Sequence, residues 1–320
     1  MDRKDLTRKA FGEALAEYGA TNPNIVVLVA DVSSSVLTTY FAQKFPERFF
    51  NVGIAEAGMV DTAVGLALGG TIPFVNTFAG LLLRATEQIR TCVAYARTNV
   101  KLIGGYGGLS DFKDGPTHHS VIDIAVMRAM PNIAVLVPAD SIEAKKMIPL
   151  IAQYQGPVYM RISRAEMPII FDDNHKVEIG KGVVVRNGRD ITIIANGYMV
   201  SRSVKAANLL SSRGIDARVL NIHTVKPLDI SLIRKCAEET RAIVTVEEHS
   251  TIGGLGSAIA EALVREYPVP VQMIGIADTF TETALDYDSL LDHYGMSVED
   301  IVKAVQRALD QKKGLNEINR

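Results

Sequence analysis

Short, uninterrupted apolar runs alternate with longer stretches of helical spacing along the whole chain. In the first half the runs are Ile25–Ala30, Ile72–Phe78, Val100–Gly105, Ile133–Pro138 and Val158–Ser163. A run that is apolar at every position suits a strand buried on both faces, not one with a solvent side. Between these runs, Ala55–Gly69, Leu81–Arg97, Val121–Ala129 and Ser141–Gln153 carry helix-like patterns, and residues 1–20 read as an amphipathic helix. Strand and helix alternating at this spacing predict an α/β fold, a doubly wound open parallel sheet with helices on both faces. A second alternation follows, with strands at Ile191–Gly197, Ala217–Ile222, Ala242–Glu248 and Val269–Ile276. Its helices are expected at Val200–Arg213, Ser231–Glu239, Gly254–Glu266 and Val298–Gln311. The polar, turn-rich stretch Met167–Gly182 separates the two halves. The expected organisation is a first domain over 1–172, a linker over 173–182 and a second domain over 183–320.

The length of 320 residues and 48% apolar content suffice for two such cores. Basic and acidic side chains nearly balance, 34 against 36. Neither a nucleic acid nor an acidic membrane surface is expected as partner. No apolar run approaches the roughly 18 residues of a membrane span. Residues 1–20 lack the apolar centre of a signal peptide, so a cytoplasmic location is expected. Cys92 and Cys236 stand far apart and are expected to be buried, reduced thiols.

Ligands in open α/β sheets bind beyond the carboxyl ends of the strands. The segments to inspect are therefore ADVSSS, NTFAG, GGYGGLSDFKDGPTHH and ISRAE. Glu56 opens an Ala- and Gly-rich helix. It is either a first-turn acid favoured by the helix dipole or a buried functional carboxylate. Asp114, His118 and His119 lie in a polar loop, which is either a solvated turn or a ligand-facing one; metal-ligand spacing is lacking. Arg161 and Arg164 follow a strand and are either anion binders or ion-pair partners. Ser33, Ser34 and Ser35 either donate to an anion or begin a helix. The chain contains no nucleophile elbow, no P-loop and no C-x-x-C. The glycines of GGLGSAIAEAL fit helix-to-sheet packing better than a dinucleotide fingerprint.

Taken in order, ADVSSS, NVGIAEAGMV, PFVNTFAGLLLRATEQIR, DGPTHH, VLVPAD and SRAEMP resemble the transketolase family. The resemblance covers nearly the whole chain but only that family's C-terminal half, the pyrimidine-binding domain followed by the transketolase C-terminal domain. It implies thiamine diphosphate as cofactor. Glu56 matches the glutamate that hydrogen-bonds and activates the aminopyrimidine ring, while Phe78 and Leu81 match its pocket wall. Asp114 and His118 match the pair that contacts the donor-sugar hydroxyls, and His118 is also a catalytic candidate. Arg164, Ser35 and Arg8 match positions that grip the substrate phosphate.

The family's G-D-G motif, which binds Mg²⁺ and the diphosphate, is absent from this sequence. The resemblance thus implies an N-terminal partner subunit that supplies Mg²⁺, and a complex of two of each subunit with homodimerisation of this chain. Tyr106 stands where many transketolases carry a histidine, and Phe112 and Lys113 replace the usual Gly and Glu. A donor other than the familiar pentose phosphates is expected. Rival readings are the beta subunit of a 2-oxoacid dehydrogenase first component, a 1-deoxyxylulose 5-phosphate synthase-like enzyme and a non-catalytic scaffold. The DGPTHHS loop favours a sugar substrate. The second domain shows no chemistry of its own beyond His249 and is expected to serve assembly.

Overall fold

The computed structural model describes residues 3–318. Seven strands form the first sheet in the order Thr224–Lys226, Ala134–Leu136, Val158–Arg161, Lys101–Gly105, Ile72–Phe78, Ile25–Val29 and Phe49–Asn51. All neighbours are parallel except Thr224–Lys226, which runs antiparallel to Ala134–Leu136. The period-two alternation of strand side chains divides this core cleanly. Ile25, Val27 and Val29 face helices Thr7–Thr21 and Ser141–Gln153. Val26 and Leu28 face helices Glu56–Leu68 and Asp123–Ala129. The expected doubly wound α/β arrangement is present.

The second sheet has five strands in the order Val271–Ile276, Ile243–Ser250, Ile191–Ala195, Ala217–Asn221 and Val183–Arg186. The first four are mutually parallel and Val183–Arg186 is antiparallel. Helices Met199–Ser212 and Val298–Ile318 cover one face, and Ile230–Thr240 and Leu255–Glu266 the other.

Several elements depart from the sequence expectations. The first helix begins at Thr7, because Lys4–Leu6 instead pairs antiparallel with Glu166–Pro168; Met1 and Asp2 lie outside the described residues. The single helix expected over Leu81–Arg97 is broken into short turns, tight at Leu83–Ala85 and wide at Ile89–Tyr95, where it is a π-helix. This uneven winding keeps Leu82, Ala85, Ile89 and Val93 together in the core. Phe49–Asn51, Val183–Arg186 and Thr224–Lys226 are too short to show a period. Cys236 is buried as expected, but Cys92 is half-buried. Among the described residues no helix is long and apolar enough to cross a membrane.

Candidate active site

The site residues named from the sequence lie at or beyond the carboxyl ends of the first sheet's strands, except Arg8, which comes from the first turn of helix Thr7–Thr21. Glu56 follows Phe49–Asn51 and is the first residue of helix Glu56–Leu68, where the helix dipole favours a negative charge. It is only 4% exposed. Arg84 Nη1 donates to Glu56 Oε1 at 3.2 Å, yet the Arg84 side chain is 59% exposed. A buried carboxylate is costly without partners that match its lone pairs, and this one has a single, solvent-facing partner among the described residues.

Phe78 closes strand Ile72–Phe78 and is buried. Its ring stacks on Tyr106 with centroids 4.1 Å apart and planes 17° apart, an arrangement worth about 0.5–1.5 kcal/mol beyond area burial. Val36 completes this small apolar cluster, and Leu81 packs against it. Helix Glu56–Leu68 packs on the turn Ala79–Leu82 that contains Leu81.

Tyr106 is the hub of the remaining candidates. Its φ of +58° is left-handed backbone, uncommon for a non-glycine residue. Arg8 Nη1 donates to the Tyr106 hydroxyl at 3.3 Å and to the Ser35 carbonyl at 2.8 Å. The guanidinium groups of Arg8 and Arg164 lie 5.8 and 5.0 Å from the Tyr106 ring centroid. Arg164 pairs with the buried Asp111 and stands 3.7 Å from the exposed Asp114. His118 is half-buried, its ring 6.0 Å from Phe78 and its Nδ1 3.0 Å from Thr117 Oγ1. Arg8, Ser35, Phe78, Leu81, Asp114, His118 and Arg164 are therefore gathered around one aromatic pair, with two cationic groups on its rim. Arg8 Nε and Asp111 Oδ2 are buried with no partner among the described residues. Burial pushes the Asp111 carboxyl up, opposed by the Arg164 charge beside it.

For Arg161, His119, His249 and Ser33 the structure shows the partners directly. Arg161 is buried rather than ligand-facing: it donates to the carbonyls of Ser120 and Glu248 at 2.8 Å and lies 3.4 Å from Asp123. His119 is buried too, with Nδ1 2.7 Å from Thr281 Oγ1 and Nε2 3.1 Å from the Asp111 carbonyl. Burial pushes its imidazole below the ordinary histidine range. His249 Nε2 accepts from Ala125 N at 3.2 Å and joins the two domains. Ser33 bonds locally to Thr38. No group of three or more His, Cys, Asp or Glu side chains able to hold a metal occurs among the described residues. Two participants escaped the sequence reading. Arg84 sits within PFVNTFAGLLLRATEQIR, where a basic residue after an apolar run was its only signal. Asp111 had none, because its pairing with Arg164 spans two distant loops.

Comparison with known proteins identifies the family over nearly the whole chain. Residues 4–169 match the transketolase pyrimidine-binding domain and residues 180–301 the transketolase C-terminal domain. A 6-deoxy-6-sulfo-D-fructose transketolase subunit from a Clostridium species is 39% identical over 306 residues, covering 95% of each chain. An apulose-4-phosphate transketolase subunit from Phocaeicola vulgatus is 39% identical over 298 residues, covering 92% of this chain and 95% of that one. A solved split-gene transketolase, an inactive β4 tetramer, superposes with a TM-score of 0.90 at 44% identity, covering 96% of this chain and 99% of that one. The chain therefore belongs to the thiamine diphosphate-dependent transketolase family and spans its pyrimidine-binding and C-terminal domains.

Proposed function

We propose that this chain is the C-terminal subunit of a split transketolase that moves a two-carbon ketol unit from a ketose phosphate to an aldose acceptor in the cytoplasm. The observation that carries this reading is the buried, under-partnered Glu56 carboxylate, on the same sheet edge as the Phe78–Tyr106 stack and its two arginines. The residues present fit the pyrimidine end of thiamine diphosphate: one buried carboxylate and an apolar wall of Phe78 and Leu81. Bound there, the cofactor supplies an electron sink for the two-carbon fragment.

In this reading Glu56 hydrogen-bonds a ring nitrogen and holds its proton, and the apolar wall keeps that bond dry and strong. Arg8 and Arg164, with Ser35, hold the anionic end of the sugar. In the same reading Asp114 and His118 orient its hydroxyls, and His118 exchanges a proton with the reacting oxygen. An N-terminal partner subunit holds Mg²⁺ and the diphosphate, two of each subunit assemble, and this chain pairs with itself within the complex. The inactivity of the related β4 tetramer supports such dependence. We assign residues 1–172 to the pyrimidine-binding domain, 173–182 to the linker and 183–320 to the C-terminal domain. Tyr106 presents a phenol ring to Arg8 and Arg164 where many transketolases carry a histidine, which supports a ketose outside the usual pentose phosphates. Two relatives are named for 6-deoxy-6-sulfo-D-fructose and for apulose 4-phosphate, sugars that each carry an anionic group of the kind two arginines suit.

The test is an assay of ketol transfer with Mg²⁺ and thiamine diphosphate, for this chain alone and mixed with the candidate N-terminal subunit, across several ketose phosphates. Turnover only in the mixture is expected. Turnover by this chain alone overturns the split site. Carbon dioxide release from pyruvate in place of ketol transfer moves the assignment to an oxoacid enzyme.

A further inference from the structure

The loop Tyr106–Ser120 carries Tyr106, Asp111, Asp114 and His118, yet much of what holds it comes from the other domain. Glu248, near the end of strand Ile243–Ser250, accepts a hydrogen bond from Leu109 N through Oε1 at 2.5 Å. Gly108 packs so tightly on this carboxylate that a Cβ there would lie 2.3 Å from the Glu248 carboxyl carbon. Its φ of +66° independently favours glycine. The Glu248 carbonyl also accepts from Arg161, which in turn donates to the Ser120 carbonyl at the far end of the loop.

A second anchor comes from the segment before helix Tyr287–His293. Thr281 Oγ1 is hydrogen-bonded to His119 Nδ1 at 2.7 Å, and His119 Nε2 reaches back to the Asp111 carbonyl. Ala284 N donates to the Phe112 carbonyl at 2.9 Å. A Cβ on Gly115 would lie 2.7 Å from Thr283 Cγ2. Both ends and the middle of the loop therefore rest on second-domain groups, none of which is among the proposed ligand contacts.

We infer that the second domain sets the geometry of the donor-sugar loop through Glu248 and Thr281, which act as positioning residues for Asp114, His118 and Tyr106. This rests on the transketolase reading for what the loop contacts, but not for the anchoring itself. Side chains that touch substrate need supporting groups that lock them within a fraction of an ångström, and small misplacements lower rate steeply. The C-terminal domain thereby gains a role in substrate selection as well as in assembly.

Glu248→Ala strips Leu109 N of its acceptor, opens a large void in the core and is liable to misfold. The decisive variant is therefore Thr281→Val, which keeps shape and removes one hydrogen bond. In the complex with the N-terminal subunit, Thr281→Val is expected to raise the donor KM about three- to tenfold, the effect of one lost hydrogen bond. Hydrogen exchange of amides 106–120 should quicken and thiamine diphosphate affinity should stay at the wild-type value, while the melting temperature falls by only a few degrees because the buried His119 Nδ1 loses its partner. Thr281→Ser should restore both KM and exchange. Unchanged exchange in the loop overturns the inference. So does a KM rise accompanied by an equal loss of cofactor affinity and melting temperature without rescue by Ser, which marks a merely structural residue. A wild-type complex that performs no ketol transfer instead refutes the functional reading, and the exchange measurement still decides whether Thr281 anchors the loop.

Discussion

Glu56 and Glu247 are both buried carboxylates set against the start of an α-helix, and they face opposite circumstances. Glu247 is 1% exposed and accepts from Leu255 N and Gly256 N at 2.7 Å, the free amides that open helix Leu255–Glu266. His249 Nδ1 lies 3.8 Å away. Glu56 belongs to the first turn of its own helix, but no backbone amide among the described residues donates to it, and its one partner is the exposed Arg84. Glu247 thus satisfies the orphan amides of the helix it meets and is itself satisfied. Glu56 is buried yet retains unused hydrogen-bonding capacity. A buried acid that folding has left under-partnered is available to a ligand, whereas one matched to backbone donors serves the fold.

Three substitutions test that contrast, in falling order of effect. Glu56→Gln should lower kcat of the assembled enzyme by about 10²- to 10⁴-fold, the usual contribution of a proton-holding group, while melting temperature holds or rises because a buried charge is gone. Wild-type turnover in this variant would break the comparison by making Glu56 a structural acid. Glu247→Ala should do the reverse. Loss of the acceptor for two buried amides should cost about 2–4 kcal/mol of stability in denaturant unfolding, with cofactor affinity of the surviving folded protein intact. A melt unchanged by this substitution would show that the two amides find other acceptors. Arg84→Ala should matter least. Its pair with Glu56 is largely solvent-facing on the arginine side, so stability should change by about 0–1 kcal/mol; a larger loss would mean that Arg84 is a necessary counter-charge and that Glu56 is fully partnered after all.

The candidate site was legible in parts that differ in kind. Phe78 ends a strand and Glu56, Asp114, His118 and Arg164 stand in the segments that follow strand ends, so the sheet carries all of them to its carboxyl side. Arg161 and Arg164 looked alike in MRISRAE, yet one is buried among Asp123, Ser120 and Glu248 and the other reaches Asp111 and Asp114. Arg161 ends strand Val158–Arg161 while Arg164 lies in the bend beyond it, and where each side chain goes was not written locally. Similarly, His118 and His119 are neighbours in chain and opposites in environment, since only His119 is buried against a second-domain hydroxyl.

What the sequence determined by itself is the order and type of the long elements, with strand Ile72–Phe78 and helix Ser141–Gln153 matching their predicted limits. The latter also carries its own start signal, Asp140, which accepts from Glu143 N. Those properties follow from periodicity and capping, which act over a few residues. The tertiary structure alone decided that Thr224–Lys226 completes the first domain's sheet, that Lys4–Leu6 meets Glu166–Pro168, and that Glu248 supports Leu109. Each joins segments far apart in the chain, and such pairings depend on how packed layers meet, which no local period encodes.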